Sequence, residues 1–149
     1  VVSHHPLLFH PLRQLVDADF TQRIVRRALL AGISLYAAHT NLDSAAGGMS
    51  FRLGKLLGLT AMRVLSPHRD GAETGFGVVG DLPEAIPVSG FLQQVKSVLR
   101  CGAIRHSELC REQVRRVALV TGAGASMLGD AVAAGADIYL TADMKYNGF

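Results

Sequence analysis

The 149-residue sequence predicts an α/β fold, a layered sandwich around a mixed sheet. Three observations carry this. Apolar stretches of strand length alternate with stretches whose apolar residues recur at helical spacing. Glycine or proline stands at most of the junctions between them. Several strand-like stretches also run straight into polar residues, as the strands of α/β proteins do at their carboxyl ends. The closing strand echoes the opening one in this respect, which raises the expectation of two duplicated, intertwined lobes.

Val1 and Val2 read as the end of a buried strand that runs into Ser3, His4 and His5 before Pro6 stops it. A helix is predicted from Asp19 or Thr21, with Ile24, Val25, Ala28 and Leu29 on one face and Gly32 as its stop. Ile33 to Ala38 reads as a second buried strand, leading into His39-Thr40-Asn41-Leu42-Asp43. After the Gly47-Gly48 turn, Phe51 to Leu57 has helical spacing and Gly58 ends it. Ala61 to Leu65 is a candidate strand, and 66–75, with Pro67 and Gly71, is the loopiest part of the chain. Phe76 to Leu82 is a Gly-rich strand, the composition expected where another backbone comes close. Pro83 and Pro87 set off a helix with Ser89 as N-cap and Phe91, Leu92, Val95, Val98 and Leu99 as its apolar face. Ala103 to His106 is a candidate short strand, and Arg115 to Thr121 is the clearest buried one. Gly122-Ala123-Gly124-Ala125-Ser126 follows, then a helix from Met127 to Ala134 and a last strand from Asp137 to Thr141.

Composition narrows the class. Apolar residues make up 49% and charged residues 18%, a globular balance. Every long apolar run is broken by Arg, Asp or Gly within about a dozen residues, too soon to span a bilayer. The net charge of +3 is dispersed, with Arg111, Arg115 and Arg116 diluted by Glu108 and Glu112. With 6% aromatics there is no basic stripe interleaved with stacking rings, so nucleic acid is a disfavoured partner. Cys101 and Cys110 lack metal-knuckle or redox spacing and suit reduced thiols in a cytoplasmic protein. Both ends read as cut, the first at a strand end and the last just after one.

Three constellations carry chemistry. His4-His5 and the stretch His39-Thr40-Asn41-Leu42-Asp43 form the first, two imidazoles and a carboxylate in a mixed N/O set suited to Zn, Mn, Fe or Ni, with His4, His5 and Asp43 as the candidate ligands. Strand alternation puts His4 and His5 on opposite sides, able to serve two sites. The competing reading is a pair of solvated polar residues. The Gly122, Gly124 and Ser126 loop before a helix suits a phosphate or carboxylate, or is simply a tight turn. Asp143 and Lys145 either line a pocket or begin the next helix, one capping and the other solvated. His10, His68 and His106 are assigned to surface or loop positions.

The ordered motifs resemble those of the GTP cyclohydrolase 1 type 2 homolog family, also called the Ngg1-interacting-factor-three-like family. They are Val-Ser-His-His-Pro-Leu-Leu-Phe at 2–9, Tyr-Ala-Ala-His-Thr-Asn-Leu-Asp at 36–43, Gly-Gly-Met at 47–49 and Leu-Gly-Leu at 57–59. Gly-x-Val-Gly-x-Leu at 77–82, Phe-x-x-x-Val-Lys at 91–96, Gly-Ala-Gly-Ala-Ser at 122–126 and Gly-Ala-Asp-x-Tyr-Leu-Thr-x-Asp-x-Lys-Tyr at 135–146 complete the series. The resemblance implies two divalent metal ions, one bound by His4 and the other by His5 with Asp43. The family's further His and bridging Glu, in a Gly-His-x-x-x-Glu motif, would lie beyond residue 149. Residues 1–149 would thus be a single partial domain, without the family's leading segment and without the inserted middle domain of its long forms. A toroidal homo-hexamer is implied too.

Together these readings predict a dinuclear-metal, hydrolase-like protein in which metal-activated water acts on a nucleotide-like or phosphorylated small molecule. The alternative is a non-catalytic metal-binding scaffold or regulatory protein. With the bridging Glu absent, this chain is expected to bind metal weakly or at one site only.

Overall fold

The computed structural model describes residues 1–69 and 71–146. The chain divides into two compact units, Val1–Leu42 and Asp43–Phe149.

In the first unit β1 (Val2–Ser3) and β2 (Tyr36–Ala37) pair in parallel, Val2 opposite Tyr36 and Ser3 opposite Ala37. Between them lies α1 (Phe20–Leu30). Asp19 caps it, accepting the Gln22 amide at 2.8 Å, and the Gln22 side chain returns a bond to the same carboxylate at 3.1 Å. Gly32, at φ +63°, reverses the chain after the last turn while the Ile33 amide donates back to the Ala28 carbonyl.

The expected buried strands of this unit are short and exposed. Pairing over 33–38 covers Tyr36 and Ala37, opposite Val2 and Ser3. Val1 and Val2 are more than 70% exposed, and Ile33, Leu35 and Tyr36 are exposed as well. On α1 Ala28 is buried but Leu29 is not. Ile24, Val25, Leu35 and Tyr36 border an open groove of about 680 Å³ instead of a closed core.

The second unit begins as α2 (Thr40–Asp43) ends, continues through α3 (Met49–Leu56), and is built on a four-stranded sheet. Its strands β3 (Thr60–His68), β4 (Gly71–Pro87), β5 (Gln113–Ala123) and β6 (Ile138–Ala142) lie in sequence order. The first two pairings are antiparallel and the last is parallel, so the sheet is mixed as expected. Alternation sends Val78, Val117 and Leu119 to one face and Val79, Ala118 and Val120 to the other. The first face packs against Leu57 at the end of α3 and against Val88, Phe91 and Val95 of α4 (Val88–Leu99). The second packs against Ala131 of α5 (Leu128–Ala133), which follows a 3-10 turn at Ala125–Met127. Helices therefore cover both faces, and this unit is a layered α/β sandwich.

Several boundaries differ from the sequence reading. Of the loop expected over 66–75, the described residues extend the β3–β4 hairpin: Ser66 pairs with Phe76 and Pro67 with Gly75, and residue 70 lies outside the described residues. Pro67 is tolerated because β3 is an edge strand, where a missing N–H breaks no inner ladder. Pro83 stays within β4, and α4 starts at Val88 after Pro87, so Ser89 lies inside the first turn and is not the cap. No strand forms over 103–106; that segment is irregular and borders a cavity of about 550 Å³ alongside α4 and β6. The expected close approach at the Gly-rich strand is present. A Cβ on Gly77, which has φ +70°, would come within 2.9 Å of the Leu119 carbonyl oxygen.

Candidate metal centre

Parallel pairing brings the carboxyl ends of β1 and β2 side by side, which is how residues 34 positions apart come to share a site. The Ala38 amide donates to the Ser3 carbonyl at 2.8 Å and closes the pair. Beyond Ser3 the chain bends, and the Ser3 hydroxyl donates to the His5 carbonyl at 2.9 Å. That bend cancels strand alternation. His4 and His5 do not point to opposite sides as expected; their ring centroids lie 4.8 Å apart. His39, two residues past β2, completes the cluster with its ring 5.2 Å from His4 and 5.3 Å from His5.

One ligand nitrogen from each ring lies within 4.8 Å of the other two. Two nitrogens bound to one Zn²⁺ at about 2.0–2.1 Å are at most about 4 Å apart, so small side-chain rotations bring the trio to coordination range. The donors fit chemically. His4 Nδ1 lies 2.7 Å from the Ala38 carbonyl oxygen. A carbonyl only accepts, so Nδ1 carries the proton and Nε2 presents its lone pair. A metal-bound histidine is typically oriented in this way by a backbone carbonyl. Three imidazoles suit Zn, Fe or Ni and leave further coordination positions open.

His39 was missed as a ligand by sequence reasoning, although it lies in the same motif as Asp43. The signal was its distance from the end of the strand, usable only once β2 is known to run parallel to β1. Asp43 is the last residue of α2, half-buried, and opens the second unit. Among the described residues the cluster able to hold an ion consists of His4, His5 and His39, and Asp43 is not a member.

The glycine loop is engaged with its own fold. The Gly124 amide donates to Thr141 Oγ1 at 2.9 Å, and its carbonyl accepts the Tyr139 hydroxyl at 2.6 Å. The Gly122 carbonyl accepts the Thr141 hydroxyl at 3.0 Å. A Cβ on Gly124 would sit 2.6 Å from Thr141 Oγ1. Of the expected anion site at Gly122, Gly124 and Ser126, the Gly124 amide is therefore already bonded within the fold. Ser126 is exposed in the 3-10 turn. Asp143, exposed at φ +52°, borders the cavity beside β6; Lys145 is exposed and is not among that cavity's lining residues.

Histidines gathered from two parallel strand ends, in a chain that also carries a four-stranded mixed sheet, define an α/β protein with a candidate metal centre. The chain belongs to the Duf34/NIF3 (NGG1p interacting factor 3) family, whose model matches residues 1–149. It is 31% identical over 147 residues to a GTP cyclohydrolase 1 type 2 homolog of Clostridium perfringens, covering 99% of this chain and 56% of that protein. A Streptomyces coelicolor protein of the same description is 32% identical over 151 residues, with 99% and 53% covered. The chain thus spans about half the length of the curated relatives it matches. Among solved structures, a Bacillus cereus protein related to NIF3 superposes with a TM-score of 0.81 at 22% identity, covering 99% of this chain and 67% of that one. Reduced HcgD from Methanocaldococcus jannaschii gives 0.72 at 26% identity, with 99% and 56% covered. No helix among the described residues is long and apolar enough to cross a membrane.

Proposed function

We propose that His4, His5 and His39 hold a divalent transition-metal ion, and that the whole protein is a metal-dependent, hydrolase-like member of its family acting on a nucleotide-like or phosphorylated small molecule. The single observation that carries the reading is the convergence of three imidazoles, one of them with its tautomer set by the Ala38 carbonyl. A bound divalent ion supplies Lewis acidity, lowering the pKa of water and polarising a substrate oxygen. The chain's own part is to present Nε2 of His4 and to hold the three rings at the mouth of two paired strands. His4 and His5 are exposed, so the cluster is open to an incoming ligand. Asp43, a second ion and a homo-hexamer remain part of the proposal on the family resemblance. The apolar side chains exposed in the first unit are of the kind an assembly interface covers. The free thiols Cys101 and Cys110 suit a cytoplasmic setting.

Titration of the chain with Co²⁺, followed by calorimetry and visible absorption, is expected to show one site per chain. Two tight sites would contradict the expectation for this chain, and no binding would end the metal reading. Release of formate from GTP by the metal-loaded full-length protein tests the hydrolase part. A second reading, a non-catalytic metal-binding scaffold, is favoured by the occupied amide of Gly124, which removes one donor from the expected phosphate cradle. Cellular function that survives His4→Ala with His5→Ala would exclude a role for the centre in either reading.

A further inference from the structure

We infer that Asn41 is a positioning residue of the metal centre, holding His39 against the His4/His5 pair; this rests on the metal reading above. Its carboxamide joins the end of β2 to the start of α2. Oδ1 accepts the His39 amide at 2.8 Å and the Leu42 amide at 3.0 Å. Nδ2 donates to the Ala37 carbonyl at 3.2 Å and to the Tyr36 hydroxyl at 3.0 Å. One side chain thus engages Tyr36 and Ala37 of β2, the backbone amide of His39 itself and the helix after it.

Geometry gives this clamp its consequence. His39 sits in the two-residue link between β2 and α2, outside any ladder that would orient it. An unclamped link of this kind samples several backbone wells, and each would swing the His39 ring to a different place. The neighbouring Ala38 carbonyl is the group that orients His4. Fixing the peptides on both sides of Ala38 therefore steadies two of the three imidazoles together. Partners that orient ligands are typically worth about 10–100-fold in metal affinity.

The test is Co²⁺ binding by the chain and its variants, read as Kd and as the ligand-field spectrum, with far-UV circular dichroism for folding. Asn41→Ala is expected to weaken binding about 10–100-fold and to alter the spectrum. Tyr36→Phe, which removes the hydrogen bond from Asn41 Nδ2 to the Tyr36 hydroxyl, should give a smaller loss. Asp19→Ala serves as the control, since it uncaps α1 in the same unit without touching the cluster. If Asn41→Ala kept the parent affinity and spectrum, or if Asp19→Ala weakened binding equally, the positioning role would be overturned while the metal reading stood. If the parent chain bound no Co²⁺, both would fall. Should Asn41→Ala not fold, Tyr36→Phe carries the decision: an unchanged Kd and spectrum would reject the clamp.

Discussion

Asp137 is a carboxylate held largely by backbone. The amides of Arg115 and Arg116 donate to its Oδ2 at 3.0 and 2.9 Å, and Arg111 lies 3.4 Å from Oδ1. Burial pushes its pKa up, but the two amides and the Arg111 and Arg116 charges outweigh that and leave it below the ordinary 3.8. A carboxyl whose pKa is lowered by folding contributes stability above its unfolded pKa, and that contribution is lost as pH falls through the folded value. Asp137→Asn is therefore expected to cost about 1 kcal/mol at pH 7. It should also flatten the loss of stability between about pH 5 and pH 2, as read from urea midpoints across that range. Asp81, lowered chiefly by its hydrogen bond to the Arg116 side chain, acts in the same direction. At this scale the residue types were legible in the sequence, since His4, His5 and Asp137 stand in motifs. The partners of each were not, because the Asp137 contacts cross 21 or more positions of chain.

Strand β4 shows at the level of the element how a glycine-rich stretch becomes the centre of a sheet. It lies between β3 and β5, and Gly77 combines φ +70° with contact distances that leave no room for a side chain. Gly77→Ala is expected to destabilise by about 2–3 kcal/mol, combining backbone strain with overpacking against Leu119 and Val120. Gly90→Ala, in α4 with open space around the added methyl, should instead stabilise by about 0.5–1 kcal/mol. Equilibrium unfolding of the two variants against the parent reads both signs at once. The close approach at this strand was legible from composition. The hairpin extending past Pro67 was not, because edge-strand tolerance of proline depends on which strand ends up outermost.

The two units differ in how much core each owns. Apart from Ala28, all the buried hydrophobics among the described residues lie in Asp43–Phe149, including Phe91, Val117 and Leu119 at 0% exposure. Local opening follows the density of buried apolar contact. Hydrogen exchange is therefore expected to be slowest in β4 and β5 and fast in β1 and β2. Added Zn²⁺ should raise protection around 1–5 and 36–42 far more than in the sheet. Uniform protection across both units, or no local effect of Zn²⁺, would contradict this.

The sequence by itself determined the α/β class, the order of most elements, the family resemblance and the presence of two histidines at a strand end. These are local properties, written in periodicity and motif. Only the tertiary structure decided that His39 joins His4 and His5, that the bend after Ser3 turns both imidazoles to one cluster, and that the amide of Gly124 is taken by Thr141. Each of those depends on which strands pair and in which register, a choice made by the folded chain as a whole. The opening His-His pair is polar punctuation when read alone, and the parallel partner strand makes it a candidate metal centre.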